Sequence, residues 1–309
     1  MYSNIIRSEE YKRRLLEFIR LEYDITGINL APTKRGYYGE TWRLNTTYTS
    51  YFLKLVSTAE HKAVYERSFS IIQHLCDHGI DFISKIVKTM GGKLSTQFDS
   101  AILGVFEWID GENLETDATT IQEYQMLAKV YTVPPCGISI PREDFSGNSA
   151  DKFFKQWSVL DNIQIHSLLK KNRTKLEYRA KRLKYFSEFC RDDTTDFFIT
   201  HGDAGGNLIV NGDRYYIVDW DNPILAPLER DAWCKCCYGW ARNAFSYALH
   251  QNGIIYPLRS ELLAYYCYYF FFFYLTAYLD GFTDSDTVCT IEEYIDGWIE
   301  GSIQYADSI

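Results

Sequence analysis

His201-Gly-Asp-Ala-Gly-Gly-Asn207-Leu-Ile-Val-Asn-Gly-Asp-Arg-Tyr-Tyr-Ile-Val-Asp219-Trp-Asp221 is the stretch whose reading decides the fold. Leu208-Ile-Val210 and Tyr215-Tyr-Ile-Val218 are short apolar runs rich in β-branched and aromatic residues. Asn211-Gly212 between them is a strong hairpin signal, so the stretch reads as strand, turn, strand. Asp203 and Asn207 then stand just before the first strand and Asp219 just after the second. A carboxylate to meet a hydroxyl, with a carboxylate and an amide oxygen to ligate magnesium on nucleotide phosphates, is the set that phosphoryl transfer needs. Read only for turn chemistry, the same residues are a hairpin flanked by turn-forming Asp and Asn.

Taken together, these motifs resemble the kinase superfamily in its small-molecule branch, the aminoglycoside phosphotransferase-like enzymes. That branch writes its catalytic loop as His-Gly-Asp, as in His201-Gly202-Asp203, and sets its metal aspartate before an aromatic residue, as in Val218-Asp219-Trp220. The run Val218 to Asp231 is most similar to the spectinomycin phosphotransferase group. The resemblance implies that Asp203 is the catalytic base or hydroxyl-orienting residue, and that Asn207 and Asp219 are the metal ligands. The family places its asparagine five positions after the aspartate. Here the interval is four, and Gly205-Gly206 is the flexible pair that can absorb the shortening. Asp221 is the alternative metal carboxylate. The resemblance also gives His201 and Asp231 bracing roles rather than a part in proton transfer.

The rest of the chain follows the order of a two-lobed kinase. Glu9 to Tyr23 carries apolar residues at helical spacing. From Ile28 to Leu55 the pattern is strand, turn, strand. Glu60 to Cys76 is helical, and strand signal returns in Phe82–Val87 and Ala101–Ile109. Beyond Asp110-Gly111 the pattern is mostly helical. The expected class is therefore α+β, a protein-kinase-like fold of two lobes. Residues 1–106 form a β-rich nucleotide-binding lobe, and 107–309 a mostly helical lobe for catalysis and substrate binding.

Lys54, late in the alternating strand Tyr51–Leu55, is placed to reach the α- and β-phosphates of a nucleotide. The kinase pattern asks for a glutamate on the next helix to hold that lysine. Glu66 fits the spacing better than Glu60. Gly36-x-x-Gly39 offers backbone amides to phosphate oxygens, or is a plain turn. Phe106-Glu107-Trp108 occupies the place of the hinge, where main-chain groups meet the base edge, so its side chains do not separate ATP from GTP.

The net charge of −9 argues against nucleic acid as a partner and suits a cationic substrate. The last 30 residues hold eight acidic side chains and no Lys or Arg. On an expected helix from Ile291 to Tyr305, Glu292, Asp296 and Glu300 recur at i, i+4, i+8, one face that is either solvated or turned to a cation. The run Leu262–Leu279 has no charged residue, yet its tyrosines mark it as a buried helix rather than a membrane span. The N-terminus is too charged for a signal peptide. The eight cysteines lack zinc spacing and read as free thiols of a reducing cytosol. A cytoplasmic location without membrane partners is expected, and the oligomeric state is open.

The expected activity is transfer of a phosphoryl group from ATP, or GTP, with Mg²⁺, to a hydroxyl of a small cationic molecule. An aminoglycoside or aminocyclitol antibiotic is favoured, which would make this a resistance enzyme. The alternatives are a metabolic kinase for choline, a sugar or an amino alcohol, and a pseudokinase that binds without transfer.

Overall fold

The computed structural model describes residues 7–33, 39–192, 196–281, 290–298 and 300–309, without the side chains of Asp280, Asp296, Trp298 and Glu300. Gly36 lies outside the described residues. The chain forms two compact units, one of residues 1–141 and 201–224, the other of 142–200 and 225–309. These bounds differ from the expected break between 106 and 107: the hairpin segment returns to the unit that holds the sheet.

In the first unit, helix α1 (Glu9–Tyr23) begins at Ser8, whose hydroxyl accepts from the Tyr11 N–H at 3.2 Å. Leu15, Ile19 and Tyr23 follow at helical spacing and are buried. They join Leu30, Trp42, Leu44, Leu53, Leu103 and Val105 in one core. The strands are β1 (Asn29–Pro32), β2 (Glu40–Asn45), β3 (Ser50–Val56), β4 (Thr96–Phe98) and β5 (Ala101–Glu107), in the antiparallel order β1-β2-β3-β5-β4. Helix α2 (Ala59–Asp77) follows β3. Strand β6 (Glu112–Asn113) pairs with β8 (Leu208–Asn211), which pairs with β9 (Arg214–Ile217), and α3 (Asp117–Val130) lies between β6 and Pro141 in sequence. The hairpin turn is Gly212–Asp213, one residue later than Asn211-Gly212, because Asn211 is still paired with Arg214.

Residues 82–87 are not the expected strand. Their main chain serves two partners: the Phe82 C=O accepts from the Ile217 N–H at 2.9 Å, the Lys85 C=O accepts from Glu107 at 2.9 Å, and the Val87 N–H donates to Val105 at 2.8 Å. A segment that divides its hydrogen bonds between β9 and β5 builds no regular ladder with either.

The second unit is mainly helical. It contains α4 (Ser149–Ser158), α5 (Ile163–Lys171), α6 (Arg173–Arg191), α7 (Glu229–Ala232), α8 (Gly239–Gln251) and α9 (Ser260–Gly281), and ends in α10 (Glu300–Ser308). Strand β7 (Phe198–Thr200) pairs with β10 (Ile224–Ala226). Helix α9 packs on α4, α6, α7 and α10. By length and composition it could cross a membrane, but 67% of its apolar window is buried within the fold. The expected single helix Ile291–Tyr305 is instead interrupted by a π-helical turn, Tyr294–Trp298. A π-turn slips the phase of the helix, so the i, i+4, i+8 argument for one acidic face does not carry through it.

Candidate active site

The site is built within the first unit by β3, α2 and the two ends of the β8–β9 hairpin. Lys54 sits in register between Thr41 of β2 and Gly104 of β5. Gly104 matters because α2 packs there: a Cβ on it would stand 2.7 Å from the Phe69 ring. Phe69 also meets Phe106 edge-on, with centroids 5.3 Å apart. That close seat carries Tyr65, one turn earlier on the same helix face, over the end of Lys54. Its ring centroid lies 4.6 Å from Nζ.

Beyond β9 the chain makes a tight turn. Asp219 has φ +64, in the left-handed region, and the Asp221 N–H donates to its carbonyl at 2.8 Å. Both carboxylates face Lys54. Its ammonium is 3.1 Å from Asp219 Oδ1 and also donates to Asp221 Oδ1. Lys54 has only 9% of its side chain exposed, whereas Asp221 has 29% and Asp219 44%. A buried ammonium persists only when paired. Burial pushes the lysine down, but Asp221 and Asp219 outweigh it and hold its pKa above the ordinary value. Burial raises the Asp219 carboxyl, and the opposing charge of Lys54 takes it below the usual carboxylate range. The Asp221 carboxyl, partly withdrawn from water and beside the Asp219 charge, is held above that range despite Lys54.

Glu66 does not pair with Lys54. Tyr65, Ser68, Phe69 and Ile72 form the inward face of α2, and Glu66, one residue past Tyr65, is turned to solvent. The places expected for its carboxylate are taken by Asp221 and Tyr65. Tyr65 and Asp221 were missed as lysine partners because nothing in a one-residue step along a helix says which side faces inward until the helix is docked.

The hairpin's other end carries His201, Asp203 and Asn207. His201 is buried, with Nε2–H donating to the Val218 carbonyl at 2.9 Å and Nδ1 accepting from the Asp203 N–H at 3.1 Å. One neutral tautomer, assigned from this network, satisfies both bonds. Its ring meets Trp220 edge-on at 4.5 Å. The histidine thus ties the Asp203 loop to the Asp219 turn. Gly202 and Gly206 take positive φ values of +86 and +105. The shortened loop closes through the Asn207 N–H, which donates to the Ala204 carbonyl at 2.9 Å. Asn207 Nδ2 donates to the Asp203 carbonyl at 2.6 Å and lies 3.4 Å from Asp203 Oδ2. The Asn207 carbonyl accepts from the Val218 N–H at 2.9 Å, so Asn207 stands one residue before Asp219 across the hairpin.

Gly39 lies just before β2, where a Cβ would come 2.5 Å from the Leu55 carbonyl oxygen, so close backbone approach alone requires glycine there. Along Phe106-Glu107-Trp108, the Glu107 N–H donates to Lys85 at 2.9 Å, the Trp108 N–H to Ser50 at 3.3 Å, and the Glu107 carbonyl accepts from Ser84 Oγ at 2.7 Å. Those three main-chain groups are committed to the fold. In the second unit, Glu292 is paired with Lys171 at 3.3 Å on the surface. The Asp296 and Glu300 side chains lie outside the described residues. Arg230, 5% exposed, donates to Thr200 Oγ1 at 2.9 Å and to its carbonyl at 3.3 Å, bracing the strand that leads into His201.

Residues 29–262 match the family model described as the phosphotransferase enzyme family. Among solved structures, the chain is similar to spectinomycin phosphotransferase in complex with ADP and spectinomycin, at 19% identity and a TM-score of 0.74, covering 98% of this chain and 94% of that one. It is also similar to choline kinase from Streptococcus pneumoniae, at 15% identity and TM-score 0.66, covering 98% and 100%. A third is a microcompartment-associated aminopropanol kinase, at 12% identity and TM-score 0.66, covering 95% and 96%. No curated protein sequence matches the chain. With the family model spanning most of the chain and a kinase-like fold shared along nearly its whole length, the chain belongs to the phosphotransferase enzyme family of small-molecule phosphotransferases.

Proposed function

We propose that the chain transfers the terminal phosphoryl group of a nucleotide, ATP in the first instance, to a hydroxyl of a small cationic acceptor. The reading rests above all on the meeting of Lys54 and Asp219, 165 residues apart in sequence, in the unit that also holds the Asp203 loop. Asp203, exposed at the loop surface, is the group that orients the acceptor hydroxyl and takes its proton. Lys54 supplies the positive charge for the nucleotide phosphates. Asp219 and Asn207 are the proposed holders of Mg²⁺. The donor set fits a hard cation: a carboxylate kept ionised by Lys54, and an amide whose nitrogen is turned to Asp203, leaving its oxygen for the metal. Bound there, Mg²⁺ would neutralise charge on the phosphates. The base edge falls to the Trp108 carbonyl and Ile109 N–H, since the preceding groups are engaged. Gly39, with Gly36 outside the described residues, remains the proposed phosphate turn. Residues 1–106 are proposed as the nucleotide lobe and 107–309 as the catalytic and acceptor lobe.

An aminoglycoside or aminocyclitol is the acceptor we favour. The likeness to the spectinomycin enzyme and the acidic balance of the chain support it. Of the three acidic residues proposed for a cationic group, Glu292 already has Lys171, so that part rests on Asp296 and Glu300. The choline and aminopropanol kinases among the structural relatives keep a metabolic amino alcohol as the second reading. A cytoplasmic enzyme, and a resistance role if the acceptor is an antibiotic, complete the proposal. Nucleotide consumption measured with Mg²⁺ against aminoglycosides, spectinomycin, choline, aminopropanol and simple sugars tests it. Acceptor-dependent consumption with one class assigns the substrate. Nucleotide binding without consumption against the whole panel would leave a pseudokinase and refute the activity.

A further inference from the structure

We propose that Tyr65 and Asp221 together are the positioning device for Lys54, in the role the family pattern gives to a helix glutamate. The inference rests on the proposed use of Lys54 for nucleotide phosphates and goes beyond it, because it assigns two residues and a division of labour to that site.

Four contacts carry it. The Tyr65 hydroxyl donates to Asp221 Oδ2 at 2.7 Å. The other oxygen of the same carboxylate, Oδ1, accepts from Lys54 Nζ. The ammonium also lies 4.6 Å from the Tyr65 ring centroid, so one tyrosine contacts both members of the ion pair. One turn further along α2, the buried Ser68 hydroxyl donates to the Trp220 carbonyl, between the two aspartates. Residues i and i+3 of one helix face thus hold both the main chain and the second carboxylate of the Asp219–Asp221 turn. That turn contains a non-glycine residue at φ +64, a conformation the surroundings must over-determine.

The two aspartates are not equivalent. Asp221 is the more enclosed and spends both oxygens, one on Tyr65 and one on Lys54. Asp219 is the more open and touches Lys54 through Oδ1. The structure assigns Asp221 to holding the lysine and leaves Asp219 as the carboxylate that can face outward. A lysine stem is long and flexible, so a fixed partner is what gives its ammonium one address.

Tyr65→Phe removes only the hydroxyl and keeps the ring over Lys54. Its readout is affinity for ADP by calorimetry without added metal, alongside kcat and both KM values with Mg²⁺. A lost hydrogen bond to a charged group corresponds to on the order of tenfold. The expected result is ADP binding weakened about tenfold with acceptor KM unchanged, beside a lowered melting temperature, because the Asp221 oxygen loses its donor in the free protein as well. Because Tyr65 acts through Asp221, Tyr65→Phe added to Asp221→Asn should lower affinity no further than Asp221→Asn alone. ADP affinity within twofold of wild type in Tyr65→Phe, or losses that multiply in the double variant, would overturn the proposal. So would a tenfold loss in Glu66→Gln with Tyr65→Phe silent, which would return the role to Glu66. Lys54→Met separates the two levels of argument: full transfer activity in that variant refutes the proposed use of Lys54 itself, whereas its loss beside a silent Tyr65→Phe refutes the positioning device alone.

Discussion

Glu229 offers the sharpest physical test of the second unit. Its side chain is fully buried on α7, with Oε2 accepting from the Tyr256 hydroxyl and Oε1 from the Arg259 N–H, each at 2.7 Å. Burial pushes its pKa up to about 7 from an ordinary 4.5, and the two hydrogen bonds only partly offset that. Between these values the folded state holds a proton that the unfolded chain has released. Stability therefore falls as pH rises through this window and levels off above about 7. One pKa unit corresponds to about 1.4 kcal/mol, so titration between pH 5 and pH 8 costs the wild type about 2–3 kcal/mol. Glu229→Gln cannot ionise. It presents an amide nitrogen to one of the two donors, which is a fixed penalty that cancels when the two pH values are compared. Urea unfolding of both proteins at pH 5 and pH 8 measures the effect. The stability of Glu229→Gln relative to wild type should improve by about 2–3 kcal/mol from the lower to the higher pH. A gap that stays constant within about 0.5 kcal/mol would show that Glu229 is not a strained buried acid, and the argument from its burial would fail.

Asp203→Asn should lower kcat by roughly 10²–10⁴ while ADP affinity stays near wild type, and a kcat within about threefold of wild type would remove Asp203 from the acceptor side of the reaction. Gly104→Ala should destabilise the protein by about 1–3 kcal/mol in urea unfolding, because the new methyl meets the Phe69 ring. It should also raise the nucleotide KM, since α2 carries Tyr65; normal stability and KM would show that Phe69 yields without moving the helix. Glu292→Gln should leave melting temperature and acceptor KM nearly unchanged, as an exposed pair with Lys171 is worth about 0–1 kcal/mol. A several-fold rise in KM for a cationic acceptor would instead restore Glu292 to the substrate site.

Local chemistry that is continuous in the chain was legible in the sequence. The His201–Asp221 stretch announced a hairpin with polar groups at both ends, since alternating apolar runs and a glycine turn are read residue by residue. The helix over 59–77 and the strands around Lys54 follow from the same periodicities, and the α+β order follows from their sequence along the chain. Where an element's partners change partway, as in 82–87, apolar content promised a strand that the hydrogen bonds do not form. The last helix departs from its expected single course for a related reason: a π-turn at Tyr294–Trp298 changes helical phase, and strict i+4 counting assumes none.

The sequence by itself determined which groups can be proposed for phosphoryl transfer: Lys54, Asp203, Asn207 and Asp219, at the ends of strands and in the loop before β8. Tertiary structure alone decided which of them meet. Lys54 is joined to Asp219 and Asp221 across more than 160 residues, and Tyr65 rather than Glu66 faces it because Gly104 lets the Phe69 ring seat α2 against the sheet. A helix shows its sequence to every side equally. Only the packing of its apolar face against a partner selects the residue that points at the site, and that choice is made by contacts between distant parts of the chain.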